Sequence, residues 1–259
     1  MDKVCSILIC SCDKYSDAWE LCFKSIEEYW KDCEYDIFLL TESLMPKREY
    51  SKVNTIHVKS RNWASMLHEA LEKIDTDFVI FMLEDQWSIK RINQDRVSYA
   101  LQYMKNNEDV AVVYFEESKL GSVKKAVRES DCFNRIPFGA PYRLSCAPGI
   151  FRKSFLYDLT SNPISPWDFE RIVSFDKRGE KVRVLEIKDT NWTRIDETGA
   201  IYRGKWVPGV GGYAKKLGIQ IDFSQRKEQS IIDVIKRKAK DFIFNINPEL
   251  IVKIQNSNN

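Results

Sequence analysis

Hydrophobic positions along the chain alternate between short unbroken runs and longer stretches with a helical period. Val4 to Cys10 forms the first run and predicts a strand, followed by a polar loop from Ser11 to Asp17. Trp19, Cys22, Phe23, Ile26 and Trp30 then recur on one stripe, the spacing of a helix with a single buried face. Asp36 to Leu40 and Asn54 to Val58 are short strands, and Trp63, Met66, Leu67, Ala70, Leu71 and Ile74 mark a second helical stripe. A strand from Asp77 to Leu83, a helix around Asp95 to Lys105 and a strand from Val110 to Tyr114 complete the alternation. Runs that are apolar throughout, rather than at every second residue, fit strands covered on both faces. The pattern therefore predicts an α/β, Rossmann-like fold, a mostly parallel sheet flanked by helices with right-handed crossovers.

Beyond Tyr114 the pattern loosens. Glu116 to Asn134 is charged and weakly periodic and reads as a long loop or irregular insertion; Pro137, Gly139, Pro141, Pro148 and Gly149 then punctuate the chain with turns. Helices are expected near Lys153 and after Pro166, and Val182 to Ile187 is the last strand. Gly199 to Gly218 is rich in glycine and reads as a mobile loop. The simplest division is one domain over residues 1–225 and a basic amphipathic helix with a tail over 226–259.

Composition narrows the class. Apolar residues at 44% and charged residues at 30% describe an ordinary globular chain, and a net charge of +2 gives no electrostatic basis for a nucleic-acid partner. The cysteines (Cys5, Cys10, Cys12, Cys22, Cys33, Cys132 and Cys146) show no CxxC pair and no Cys/His cluster, so free thiols in a reducing compartment are expected. The Val4 to Cys10 run is too short for a secretory segment and nothing reaches a membrane-spanning length, which points to a cytoplasmic protein. His57 and His68 have no triad partner at a recognisable spacing, which argues against a His-based hydrolase.

The apolar run Phe78 to Leu83 ends abruptly in Glu84 and Asp85, followed by Gln86 and Trp87. Carboxylates where a buried strand exits lie at the edge on which open α/β sheets bind ligands. Two acids there can hold a divalent metal, fix a ribose or do proton chemistry. After the first strand, Ser11, Asp13 and Tyr15 could contact a nucleobase and ribose, although the same loop serves equally as a capped helix entry at Ser16 or Asp17. Arg61 could meet phosphate, whereas Trp63 lies on an apolar stripe where burial is the simpler role. Pro166 and helical spacing put Asp168 and Glu170 near a helix start, where the dipole favours anions, or where they are merely solvated acids.

The order RNWASMLHEALEKIDTDFVIFMLEDQW, joined by Ser145 to Phe151, Pro166-Trp167-Asp168-Phe169-Glu170 and Arg203-Gly204-Lys205-Trp206, resembles bacterial GT-A-type glycosyltransferases of capsular and surface polysaccharide assembly. That resemblance implies a GT-A fold, a nucleoside-diphosphate sugar donor, a glycan or polyprenyl-linked acceptor and often a divalent cation, Mn²⁺ or Mg²⁺. It implies Asp85 first and Glu84 second as metal ligands, although Gln86 stands where the usual DxD motif ends in Asp and an amide oxygen is the weaker ligand for a hard cation. It further implies Trp167 beside the acceptor sugar and a catalytic base after it, Glu170 ahead of Asp168, for an inverting transfer. Arg203 and Lys205 would close over the diphosphate. A non-catalytic sugar- or nucleotide-binding module on the same fold is the rival, since fold does not fix function. A nucleotidyltransferase would need a Gly-rich, Lys-bearing first loop that the chain lacks. Near the C-terminus, Ile232, Ile235, Ala239, Phe242 and Ile243 share a stripe among Arg226, Lys227, Lys236, Arg237, Lys238 and Lys240. Such a helix can lie on the inner membrane face, making the protein peripheral, or pack its stripe on the domain with its lysines in water.

Overall fold

The apolar runs pair side by side into one mixed sheet of nine strands. The computed structural model describes residues 4–50, 52–116 and 126–246, with side chains through residue 239. In chain order the strands are β1 (Cys5–Cys10), β2 (Asp36–Thr41), β3 (Val53–His57), β4 (Phe78–Leu83), β5 (Val110–Tyr114), β6 (Val127–Arg128), β7 (Phe133–Arg135), β8 (Gly149–Arg152) and β9 (Arg183–Ile187). Their order across the sheet is β3-β2-β1-β4-β8-β5-β9-β7-β6. β1, β2, β3 and β4 run parallel, as do β5 and β9, while β8 is inserted antiparallel between β4 and β5. The chain steps outward from β1 through β2 to β3 and then returns to the other side of β1 as β4. This reversal makes the β1/β4 boundary a topological switch point, and in open α/β sheets the carboxyl ends of the strands at such a point are where ligands bind.

Helices cover both faces, which is why β4 is apolar throughout. Ile80 and Met82 enter one core with Trp19, Cys22, Phe23 and Ile26 of α1 (Ser16–Tyr29) and Val97 and Ala100 of α3 (Gln94–Asn106). Val79 and Phe81 enter a second core with Leu67, Ala70 and Leu71 of α2 (Trp63–Glu72) and Phe155 and Leu156 of α4 (Lys153–Leu159). Asn62 caps α2 by accepting from the amides of Ala64 and Ser65. Pro166 opens α5 (Pro166–Ile172), with Ser165 as its cap. β8 can squeeze between its neighbours because it begins with glycine: a Cβ on Gly149 would lie 2.7 Å from the carbonyl oxygen of Val113. All seven cysteines are free thiols.

Two expectations change. The segment 199–218 is ordered rather than mobile: β10 (Ile201–Tyr202) and β11 (Lys205–Trp206) form a hairpin, and α6 (Val210–Lys216) follows. Its glycines mark turns, while Val207, Val210, Tyr213 and Ala214 anchor it in the first core. The described part of 116–134 is also not merely irregular, since β6 and β7 pair antiparallel and extend the sheet edge beside β9. His68 stacks on Tyr157 with ring centroids 3.7 Å apart.

The C-terminal helix α7 (Ile231–Ile246) turns its apolar stripe away from the domain. Ile231, Ile232 and Ile235 are exposed, whereas Arg237 is buried. Of the stripe read from the sequence, the side chains of Phe242 and Ile243 lie outside the described residues. Among the described residues, no helix is long and apolar enough to cross a membrane.

Candidate active site

At the carboxyl end of β4 the chain turns back on itself, the Gln86 amide donating to the carbonyl of Leu83. This turn leaves Glu84 and Asp85 at the switch point but only 6% and 8% exposed. Burial pushes the Glu84 carboxyl well up from its ordinary range, and the adjacent Asp85 charge adds to this; the Ser11 hydroxyl and Arg226 oppose it. Burial also raises Asp85, against the Ile201 amide, Arg194 and Arg226. Two carboxylates so close and so dry resist holding two negative charges together. A cationic ligand would relieve that cost.

Asp85 also has a structural task. Its backbone carbonyl accepts from the Ala200 amide at 2.8 Å and its Oδ2 from the Ile201 amide at 2.9 Å. The returning chain fits because residue 199 is glycine: it has φ +95°, and a Cβ there would lie 2.6 Å from Asp85 Oδ2. Behind the pair sits Arg226, 7% exposed, donating to both Asp17 oxygens at 2.8 and 2.9 Å and to the carbonyls of Lys14 and Gly204. Its guanidinium covers the Tyr15 ring at 4.6 Å and the Trp206 ring at 5.7 Å. Tyr15 is thus one wall of this cationic sandwich. Ser11, after β1, accepts from Trp19 Nε1 at 2.7 Å, which fixes its hydroxyl beside Glu84.

Across the crevice the antiparallel β8 presents its amino end. The Cys146 amide donates to Glu170 Oε1 at 3.0 Å, so the insertion of β8 into the sheet brings α5 to the same edge as Glu84 and Asp85. Burial raises the Glu170 carboxyl, while the Cys146 amide and Arg194 work to lower it. Arg194 pairs with Glu116 at 2.7 Å, and its charge acts on both Asp85 and Glu170. Asp85 and Glu170 therefore both feel the Arg194 guanidinium, while Glu84 and Asp85 both feel Arg226.

The other residues singled out from the sequence separate into groups. Asp13 is at the crevice, but its oxygens are engaged by the Thr41 hydroxyl at 2.5 Å and the Ser43 and Leu44 amides at 3.1 Å. Burial opposes those bonds, yet they hold its carboxyl below the usual range. Its own amide donates to Glu42, which Arg61 approaches at 4.0 Å with an exposed side chain. Trp63 packs edge-on against Phe81 and Phe169, a core role rather than a contact surface. Asp168 is occupied at the helix start, accepting from the Ser165 hydroxyl and from Arg171, which lower its pKa. Glu170 and Asp168 are thereby distinguished: one accepts from the Cys146 amide at the carboxyl edge and the other completes a cap. Trp167 is 68% exposed, and Ile172 and Phe175, further along the same stretch of chain, are exposed as well. Lys205 does not stand free to close over a ligand; it pairs with Asp233 at 2.9 Å, while Arg203 sits exposed in the β10–β11 turn with φ +50°.

Sequence reasoning missed Arg194, and it read Arg226 as a flanking cation of the C-terminal helix, whereas Arg226 is buried against Asp17 and α7 starts only at Ile231. Both lie in polar stretches without periodicity, and their partners, Glu116 and Asp17, are far away along the chain. As a metal centre, the site offers two carboxylates only, and among the described residues no group of three or more His, Cys, Asp or Glu could hold an ion. A pair suits a cation that draws its remaining oxygens from phosphate and water, as Mg²⁺ commonly does.

No protein-family model and no curated protein matches the chain. Among solved structures it is similar to UDP-glucose pyrophosphorylase complexed with UDP-glucose, at 10% identity over 73% of this chain and 91% of that one, with a TM-score of 0.48. It is similar to M. tuberculosis glucosyl-3-phosphoglycerate synthase at 16% identity over 84% and 81%, TM-score 0.44. S. aureus TarS gives 14% identity over 71% of this chain but 35% of TarS, TM-score 0.42. Likenesses this distant carry no chemistry across, so function rests on the side chains.

Proposed function

We propose that this protein is an inverting glycosyltransferase that moves a sugar from a nucleoside-diphosphate donor to a hydroxyl of a glycan or lipid-linked acceptor. The observation that carries the reading is the buried Glu84–Asp85 pair at the carboxyl end of β4 with Glu170, held by the Cys146 amide just before β8, at the same edge of the sheet. The donor nucleotide, with uridine or guanosine as base, would lie over the β1/β4 switch point against Ser11, Asp13 and Tyr15. A divalent cation held by Asp85 and Glu84 would supply positive charge to the leaving diphosphate. The acceptor oxygen attacks the anomeric carbon from the side opposite the diphosphate and Glu170 takes its proton. The bond from the anomeric carbon to the phosphate oxygen breaks with its electron pair going to the diphosphate. A carboxyl whose pKa is raised by burial is the stronger base for that step, while the Cys146 amide and Arg194 favour its ionised form. Trp167 offers an apolar surface to the acceptor ring. A surface-glycan acceptor is the context that the sequence resemblance implies.

A second reading, a sugar-nucleotide-binding module without turnover, draws support from Asp85, whose carboxylate is partly spent on the Ile201 amide. Replacing Glu170 by Gln separates the two. On the transferase reading, transfer falls roughly a hundredfold or more while donor affinity barely changes, and Asp168→Asn costs less. Near-normal turnover in both variants would remove this segment from the chemistry. Donor binding without turnover in the wild type, across a panel of nucleotide sugars and acceptors, would favour the module.

A further inference from the structure

Helix α7 turns Asp233 and Arg237 toward the domain and its apolar stripe outward, the reverse of a helix packed on a domain. Its inner contacts are ionic. Arg237 donates to both Asp196 oxygens at 2.8 Å and lies 5.3 Å over the Tyr202 ring, and Asp233 pairs with Lys205 at 2.9 Å. Facing water are Ile231, Ile232 and Ile235, at 79%, 63% and 62% exposure, continued by exposed Ala239. On a helix of about 3.6 residues per turn, Lys236 and Lys238 fall on the two flanks of that stripe and Arg237 falls behind it. Both flanking lysines are exposed, as are Lys227 and Arg203 on adjoining segments. Before residue 240 the one acid on α7 is Asp233, already paired with Lys205.

We propose that α7 docks on an anionic lipid surface, with the isoleucines entering the boundary between headgroups and acyl chains and Lys236 and Lys238 meeting headgroup phosphates. A convex apolar stripe with cations on both flanks complements a flat, negatively charged plane. Self-pairing through the same stripe would bring lysine flanks against lysine flanks, so a second copy fits this face poorly. Asp196 belongs to the loop that also carries Arg194, so the docked helix would hold the crevice beside the lipid plane. The proposal stands apart from the transfer reading, because lipid binding is measured without turnover.

The test is co-sedimentation of the full chain with vesicles of phosphatidylglycerol and phosphatidylcholine, against phosphatidylcholine alone, at physiological salt. Binding is expected to be about tenfold or more tighter on the anionic vesicles. The double variant Ile231→Asp/Ile235→Asp should lose about tenfold or more in affinity with little change in thermal unfolding, as both side chains are mostly exposed, and Lys236→Glu/Lys238→Glu should weaken binding to the anionic vesicles alone. Equal binding to both vesicles, binding to neither, or binding unaffected by the isoleucine changes would overturn the proposal. So would a dimer in lipid-free solution that the isoleucine variant dissociates, which would assign the face to a second copy.

Discussion

Replacing Gly199 by Ala tests how the acidic pair is held. Gly199 adopts φ +95°, and the new methyl would sit 2.6 Å from Asp85 Oδ2 and 3.1 Å from its carbonyl oxygen. A non-glycine residue in left-handed backbone costs about 1–2 kcal/mol. Relieving the clash means moving Asp85 away from the Ile201 amide, and losing a hydrogen bond to a charged group costs about 1.5–3 kcal/mol more. The expected loss is about 2.5–5 kcal/mol, which for a chain of this size lowers Tm by roughly 10 °C. Gly204 supplies the control, since it has φ +74° with nothing within 4 Å of an added Cβ. Gly204→Ala should cost only the backbone strain, about 1–2 kcal/mol. Thermal unfolding of both variants, followed by circular dichroism, gives the comparison. A Gly199→Ala protein no less stable than Gly204→Ala would refute the argument that this glycine exists to let the chain close on Asp85.

Two further expectations follow from charge. Arg226→Met leaves Asp17 without its bidentate partner behind an acidic pair, and breaking a buried ion pair from one side costs about 3–5 kcal/mol, readable by urea denaturation; a loss below about 1 kcal/mol would mean the bridge is merely superficial. The proposed base must be ionised to act, and the Glu170 pKa is raised by burial, so transfer should switch on with rising pH at a midpoint above the ordinary carboxylate range. Arg194→Met, which removes a charge that lowers that pKa, should move the acid limb to still higher pH; an unmoved or downward-moving limb contradicts the assignment. The same raised pKa has a stability consequence: the folded state binds that proton more tightly, so the group's contribution falls as pH rises from the unfolded to the folded value.

The left half of the sheet was readable because periodicity reports burial directly. The stripe from Trp19 to Trp30 and the unbroken run from Phe78 to Leu83 could satisfy their apolar surface only as a one-faced helix and a two-faced strand. β8 gives a weaker signal, since four residues set off by Pro148 and Gly149 read as a turn until neighbours on both sides are known. The glycines from 199 to 218 misled for a related reason: flexibility in isolation and a demand for positive φ in a packed turn look the same in sequence. At the crevice, Glu84, Asp85 and Glu170 were accessible to reasoning because a strand end and a helix start are local features. Arg194 and Arg226 were not, as a buried arginine is defined by carboxylates distant in the chain.

The central claim is that a nucleoside diphosphate binds over the β1/β4 switch point. A crystal structure of the protein with uridine or guanosine diphosphate, crystallised with Mn²⁺, tests it most directly. The account predicts the base and ribose against Ser11, Asp13 and Tyr15, and the diphosphate beside Glu84 and Asp85. A nucleotide bound on the opposite edge of the sheet, or no binding of either nucleotide, would contradict it.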